Sequence, residues 1–137
     1  MNVLVIDGQG GGLGRQLVAA LSAQCPDIRL VAVGTNSVAA QAMHKAGAQR
    51  AATGENAVVV NCRNADIIVG PIGIVIADAL LGEITPAMAE ALTGSRAHKI
   101  AVPVNRCNVH VVGIVERPLR EYIAEAVEEV RKLAAGA

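Results

Sequence analysis

The sequence predicts an α/β fold with an open, mostly parallel, twisted sheet, helices on both faces and an antiparallel hairpin at one edge. Short apolar runs alternate with amphipathic segments along all 137 residues, which is typical of βα units around a parallel sheet. A glycine-rich turn separates the first apolar run from the first helical pattern. No repeat or linker interrupts the chain, and its length suits one domain spanning residues 1–137.

The first half of the chain predicts three strands and two helices. The strands are Asn2–Ile6, Ile28–Val33 and a short one at Ala48–Thr53. The first helix is indicated by apolar residues at helical spacing and ends near Cys25 and Pro26; these residues are Leu13, Leu17, Val18 and Leu21. The second helix begins at Asn36 or Ser37, ends at about Ala46 and is followed by Gly47.

The second half predicts a short helix after Gly54 and a fourth strand at Asp66–Val69. Two helices, Ile72–Leu81 and Pro86–Leu92, are expected on either side of the sequence GEIT, with Thr85 as a cap. The strands Lys99–Val104 and Val109–Val115 are only four residues apart, so they are expected to form the antiparallel hairpin. The last helix carries an apolar stripe from Leu119 to Leu133.

Composition excludes several classes of partner. Twelve basic and twelve acidic residues cancel, and Tyr122 is the only aromatic residue, so neither nucleic acid nor a membrane is expected as a partner. The hydrophobic fraction of 53% exceeds that of an average domain, which favours a homo-oligomer. Three widely spaced cysteines and an N-terminus without an export signal predict a cytoplasmic location.

The glycine loop, VLVIDGQGGGLGRQL at residues 3–17, is the clearest candidate site. Gly8, Gly12 and Gly14 fit the spacing G-x-x-x-G-x-G between a strand and a helix. We expect Gly8 to permit the turn, Gly12 to bring backbone amides close to a phosphate and Gly14 to let the helix pack on the sheet. A Walker loop is excluded because Arg15 and Gln16 stand where Lys and Ser or Thr are required. The alternative is a turn that binds no ligand, but such a turn needs fewer than the five glycines found here.

This spacing resembles the coenzyme loop of short-chain dehydrogenases over residues 7–14, with Asp7 in place of the family's threonine. That resemblance implies NAD(P) as a possible cofactor. The family's Tyr-x-x-x-Lys is absent, because Ala126 follows Tyr122 by four residues. The acidic residue that would bind a ribose hydroxyl is also missing, since Gly34-Thr35-Asn36-Ser37 occupies its position. Hydride transfer is therefore not expected, and the cofactor could be another nucleotide.

Over nearly its whole length the chain resembles a family of short bacterial proteins catalogued as a domain of unknown function, DUF3842. The motifs that carry this resemblance are DGQGGGLG, GTNSVA, KAGA, ATGENA, ADIIVGPIGI, EITPAMAEA and NRCNVHVVG. It implies a Rossmann-like fold and supplies no catalytic residues.

Polar loops are expected to meet the glycine loop at the carboxyl ends of the strands, where open parallel sheets bind ligands. Glu55, in one of these loops, could accept a ribose hydroxyl or sit in the first turn of a helix. The predicted ligand is a small phosphorylated molecule. The binding residues are predicted to be Gly8, Gln9, Gly10, Gly11, Gly12, Leu13, Gly14 and Arg15, with Thr35, Asn36, Gly70, Pro71, Asn105 and Arg106.

Catalysis is left open by the sequence. Cys107 and His110 lie three residues apart and Cys62 could join them, but the set lacks the spacing of a zinc site. The alternatives to ligand binding are an enzyme that uses Cys107 or Asp7, and a structural or regulatory oligomer without a ligand. Asp7 conflicts with phosphate binding at this loop, because its carboxylate would repel the phosphate unless the carboxylate bound a hydroxyl group or a cation.

Overall fold

The computed structural model describes residues 1–104 and 108–136, and within them five parallel strands form one sheet in the order β3-β2-β1-β4-β5. The strands are β1 Asn2–Asp7, β2 Arg29–Gly34, β3 Arg50–Thr53, β4 Ile67–Pro71 and β5 His98–Val102. Each pair of neighbours is parallel. The strand order reverses direction between β1 and β4, as in Rossmann-like sheets. The predicted open parallel sheet is confirmed.

Helices cover both faces of the sheet, as predicted. They are α1 Gly12–Gln24, α2 Ser37–Ala46, α3 Glu55–Asn64, α4 Pro86–Thr93 and α5 Leu119–Gly136. One core lies between the sheet and α1, α2 and α5, and includes Val5, Leu17 and Val127. The other core lies between the sheet and α3 and α4, and includes Leu4, Val58 and Leu92. Successive residues of β1 alternate between the two cores because strand side chains alternate between faces.

Capping side chains fix where two helices begin. The Asn36 side chain accepts a hydrogen bond from the Ala39 amide at 2.9 Å and caps α2. The Thr85 hydroxyl accepts one from the Met88 amide at 3.2 Å and caps α4, with Pro86 at the first helical position. Within the described ranges, none of the helices combines the length and the apolar character needed to cross a membrane.

The predicted antiparallel hairpin is wrong. β5 pairs in parallel with β4, and residues 108–118 contain no strand. Val112 is 87% exposed and Val115 is 72% exposed, so the predicted strand Val109–Val115 has no core to face. Its β-branched residues favour a strand only where a sheet surface buries them.

The predicted helix Ile72–Leu81 is also wrong. A single 3₁₀ turn, Ile72–Val75, leads into an irregular segment, residues 76–85, which we name the β4–α4 loop. Leu80, Leu81 and Gly82 have φ values of 56°, 56° and 88°, so the loop contains a left-handed turn. Its apolar residues Ala79, Leu80 and Ile84 are buried, which explains the helix-like pattern of the sequence without a helix.

Candidate functional site

The glycine loop, residues 8–14, connects the carboxyl end of central strand β1 to the N-terminus of α1. The Gly11 amide donates to the Gly8 carbonyl at 2.9 Å, and the Arg15 amide donates to the Gly11 carbonyl at 2.9 Å. Gly11 has a φ of 73° and precedes the first residue of α1. A tight turn therefore places the α1 N-terminus directly beside the end of β1.

Close contacts require glycine at three positions of this loop. A Cβ on Gly11, whose φ is 73°, would lie 2.8 Å from the Ala39 Cα. A Cβ on Gly8 would lie 2.7 Å from the Thr35 hydroxyl oxygen. A Cβ on Gly14 would lie 2.7 Å from the Cβ of Asp7 and 2.6 Å from the sulfur of Met43. These contacts agree with the close helix–sheet packing expected at Gly14.

Gly12 faces open space instead. Nothing lies within 4 Å of a Cβ built at this residue or at Gly10. Within residues 1–104 and 108–136, the backbone amides of Gly12 and Leu13 have no hydrogen-bond acceptor. The first turn of α1 thus presents two free donors beside unoccupied space, which is the arrangement that favours an anion.

Asp7 is bonded to the loop that follows it. Its side chain is only 6% exposed, and its two carboxyl oxygens accept from the Gly8 amide at 2.8 Å and the Gly14 amide at 2.6 Å. Asp7 therefore takes one of the α1 N-terminal amides that a phosphate could otherwise use. Because both oxygens are engaged and buried, Asp7 is not placed to attack a substrate.

Burial raises the pKa of Asp7 above its ordinary value of 3.8, and this effect exceeds the opposing hydrogen bonds from Gly14 and Gly8. The nearby charge of Glu83 raises it further. Burial therefore makes the ionised form of Asp7 less favourable in the folded protein than in the unfolded chain.

The contribution of Asp7 to the stability of the protein is expected to fall as pH rises from its unfolded-state pKa through its folded-state pKa. The folded-state pKa lies above the unfolded value, so the folded state binds more protons between the two, and stability decreases there with increasing pH. A difference of one pKa unit corresponds to about 1.4 kcal/mol. Urea unfolding followed by circular dichroism would measure wild type and Asp7→Asn from about pH 3.5 to 7.

In that series, the free energy of unfolding of wild type relative to Asp7→Asn should drop with rising pH and then level off. Asp27→Asn, on an exposed turn, controls for the loss of one carboxylate. If the difference in free energy of unfolding between wild type and Asp7→Asn stayed constant or rose with pH over the whole range, the raised pKa of Asp7 would be contradicted.

Glu83 completes the site, and sequence reasoning missed it. One carboxyl oxygen, Oε1, accepts from the Gln9 amide at 2.9 Å, the Thr35 hydroxyl at 2.6 Å and the Asn36 side-chain amide at 2.9 Å. The β4–α4 loop thereby places an acidic side chain between the glycine loop and the loop after β2. The only sequence signal was an acidic residue in the break between two predicted helices.

Burial acts to raise the pKa of Glu83, but the hydrogen bonds from Thr35, Gln9 and Asn36 together lower it below its ordinary value of 4.5. The residue is ionised at neutral pH as a consequence. Asp7 and Glu83 thus place two carboxyl groups at the glycine loop, Asp7 at the Gly14 amide and Glu83 at the Gln9 amide.

The structure brings the predicted residues Thr35 and Asn36 to the glycine loop. The Asn36 side-chain amide donates to the Gln9 carbonyl at 2.9 Å as well as to Glu83. Glu55, the acidic residue considered from sequence, instead accepts from the Thr85 hydroxyl at 2.5 Å beside the start of α4.

The remaining predicted residues have other surroundings. Gly70 and Pro71 are buried at the end of β4, where a Cβ on Gly70 would overlap the Ile6 carbonyl oxygen. The Leu13 side chain is buried in the core between the sheet and α1, and the Arg15 side chain is exposed in the first turn of α1. Asn105, Arg106 and Cys107 lie outside the described residues.

The cysteine and metal hypotheses gain no support from the described residues. Cys62 is buried in α3, and burial raises its pKa to about 11, so its thiol is protonated at neutral pH. Among residues 1–104 and 108–136, no three His, Cys, Asp or Glu side chains are grouped so that they could hold a metal ion.

Comparison with known sequences identifies one family. The model of the family described as "Domain of unknown function (DUF3842)" matches residues 2–135. Neither a curated protein nor a solved structure matches the chain.

Proposed function

We propose that this chain, which belongs to the DUF3842 family, binds a nucleotide or a similar phosphorylated sugar at the glycine loop. In this proposal the phosphate faces the Gly12 and Leu13 amides, and Glu83 accepts a hydroxyl of the sugar. The observation that carries the proposal is the position of the Glu83 carboxylate, bonded to both the glycine loop and the loop after β2.

The phosphate half of the proposal depends on the start of α1. Its first turn combines two amides without an acceptor among the described residues and the positive end of the helix dipole. No atom lies within 4 Å of a Cβ built at Gly10 or at Gly12, so these residues leave open space at the start of α1. The Asp7 carboxylate lies deeper, at the Gly14 amide, so it opposes an anion without blocking its approach.

The sugar half depends on Glu83. In Rossmann-like folds an acidic residue at the end of the second strand accepts the ribose hydroxyls. Here Gly34 ends β2, but the β4–α4 loop brings Glu83 to the adjacent Thr35 and Asn36. All three hydrogen bonds use Oε1, and Oε2 accepts none from the described part of the chain, so it is available to a sugar hydroxyl.

Isothermal titration calorimetry with NAD, NADP, ATP and ribose 5-phosphate would test this function. We expect binding by at least one compound, weakened about tenfold or more both in Gly12→Val, which fills the space before the amides, and in Glu83→Gln, which removes the charged acceptor. Glu121→Gln, on the exposed face of α5, is the matched control and should leave binding unchanged.

Two results would overturn the proposal. One is no binding of any of the four compounds at millimolar concentration. The other is binding that Gly12→Val and Glu83→Gln leave at the wild-type level. Because Gly12 has no close neighbours, Gly12→Val is expected to fold, and circular dichroism would verify this before titration.

A homo-oligomer is a second proposal, supported by exposed apolar side chains. Leu81 is 96% exposed, and Val112 and Val115 are also largely exposed. The rest of the apolar segment Ile72–Leu81 is mostly buried or partly buried, so it adds little to this exposed surface. Sedimentation velocity would decide the oligomeric state, and a monomer at all concentrations would rule the oligomer out.

A further inference from the structure

A second cleft lies at the opposite edge of the sheet from the glycine loop, where the strands begin. It has a volume of about 540 Å³ and is bounded by the first residues of β1, β2 and β3 and by the last turn of α3. We name it the amino-edge cleft. Its polar lining residues are Asn2, Arg29, Gln49, Arg50, Asn61 and Asn64.

Strand register explains why these side chains meet. Asn2 is paired with Arg29, and Val31 is paired with Arg50. Paired residues of parallel strands point to the same face, and residues two apart along a strand do as well. All four side chains therefore face the side covered by α3, whose residues Asn61 and Asn64 close the cleft.

Two arginines give this cleft a positive charge. Arg29 and Arg50 lie on adjacent strands with an offset of two residues, which places their Cα atoms about 8 Å apart. The described lining includes no acidic side chain, and the carboxylate beside it, Asp66, accepts from the Asn2 backbone amide at 2.7 Å. Neither arginine has an ion-pair partner in the described part of the chain. Two long guanidinium side chains at this spacing can converge on one carboxylate or phosphate.

Amide side chains beside the arginines are held in place by the backbone. The Asn2 side-chain amide donates to the Asn64 carbonyl at 3.1 Å, and that of Asn61 donates to the Ala57 carbonyl at 2.8 Å. These bonds use the NH₂ groups, so the side-chain oxygens of Asn2 and Asn61 are left to accept from a hydroxylated ligand. The volume is within the range of pockets for small molecules.

We propose that the amino-edge cleft is a second binding site, for a small hydroxylated organic anion such as a sugar phosphate or a hydroxycarboxylate. Arg29 and Arg50 bind the anionic group, and Asn2 and Asn61 accept hydroxyl groups of the ligand. This inference is independent of the function proposed for the glycine loop, because the two sites share no residue.

The test combines calorimetry and NMR with two probes, glucose 6-phosphate and citrate. Glucose 6-phosphate carries a phosphate and citrate carries carboxylates, so the comparison shows which of these anionic groups the cleft binds. The proteins are wild type, the double variant Arg29→Gln/Arg50→Gln, and the control Arg63→Gln/Arg96→Gln, which removes the same charge from the cleft between α3 and α4. All four arginines are exposed, so both double variants are expected to fold.

We expect at least one probe to bind wild type and to shift the side-chain amide resonances of Asn2, Asn61 and Asn64. Arg29→Gln/Arg50→Gln should weaken that binding about tenfold or more, and the control should leave it unchanged. Gly12→Val should weaken binding at the glycine loop and leave the affinity of the amino-edge cleft unchanged. It therefore shows whether a probe binds at the glycine loop instead of in the cleft.

Three outcomes would overturn the proposal. They are the absence of binding by both probes, equal weakening in the two arginine double variants, and binding abolished by Gly12→Val with no shift of the asparagine amide resonances. The first two outcomes leave the proposal for the glycine loop untouched, because that proposal is tested with other compounds and with Glu83→Gln. The third would assign the probe to the glycine loop.

Discussion

Replacing Gly14 with alanine is expected to lower the free energy of unfolding by about 3 kcal/mol, at the upper end of what overpacking costs. The added methyl group would lie 2.7 Å from the Asp7 Cβ and 2.6 Å from the Met43 sulfur. Met43 can move its flexible end, but Asp7 is held by β1 and by two hydrogen bonds. The change therefore displaces α1 from the sheet or breaks the bonds of a buried carboxylate.

The matched control for this change is Gly12→Ala, two positions earlier in the same helix. No atom lies within 4 Å of the Cβ position at Gly12. Alanine there should leave stability unchanged or raise it by up to about 1 kcal/mol, because glycine is the more flexible in the unfolded chain. Urea unfolding of both variants gives the comparison, and equal effects of the two substitutions would contradict the packing role of Gly14.

Replacing Glu83 with alanine is expected to lower the free energy of unfolding by about 2 kcal/mol at neutral pH. The change leaves the Gln9 amide, the Thr35 hydroxyl and the Asn36 side chain without their common acceptor. Hydrogen bonds to a charged group contribute about 1.5–3 kcal/mol each when buried, and the partial exposure of Glu83 reduces their sum. The β4–α4 loop should also exchange its amide hydrogens faster.

The effect of Glu83→Ala should depend on pH. The folded-state pKa of Glu83 is lowered, so its contribution to stability is complete above the ordinary value of 4.5 and is lost as pH falls through the folded-state value. Wild type and Glu83→Ala should therefore converge at acidic pH. Glu83→Gln, which keeps a neutral acceptor, is expected to lose less stability than Glu83→Ala. If the stability difference between wild type and Glu83→Ala increased on acidification, the role of the ionised Glu83 as the common acceptor would be contradicted.

The elements that the sequence predicted well are those whose apolar pattern reflects their own burial. The predicted stripe of α5 has five buried residues between two partly buried ends, Leu119 and Leu133. The buried residues are Tyr122, Ile123, Ala126, Val127 and Val130. The start of α2 followed from the local capping chemistry of Asn36. Such signals lie within a few residues of one another, so a single sequence contains them.

Glu83 and the left-handed turn could not be predicted because they depend on distant contacts. The Glu83 carboxylate meets an amide 74 positions earlier in the chain. The apolar residues of the β4–α4 loop suggested a helix, since periodicity records burial and not backbone conformation. The β-branched run Val109–Val115 indicated a strand for a similar reason, although no neighbouring strand receives it among the described residues.

The central position of β1 has a consequence for the order in which the nascent chain can fold. The ribosome releases β1, β2 and β3 before β4, yet β4 supplies the second neighbour of β1. At about 5–20 residues per second, the open edge of β1 would persist for on the order of a few seconds, during which it could pair with other chains. Glu83 emerges later still, so the candidate ligand site is complete only after the sheet has closed around β1.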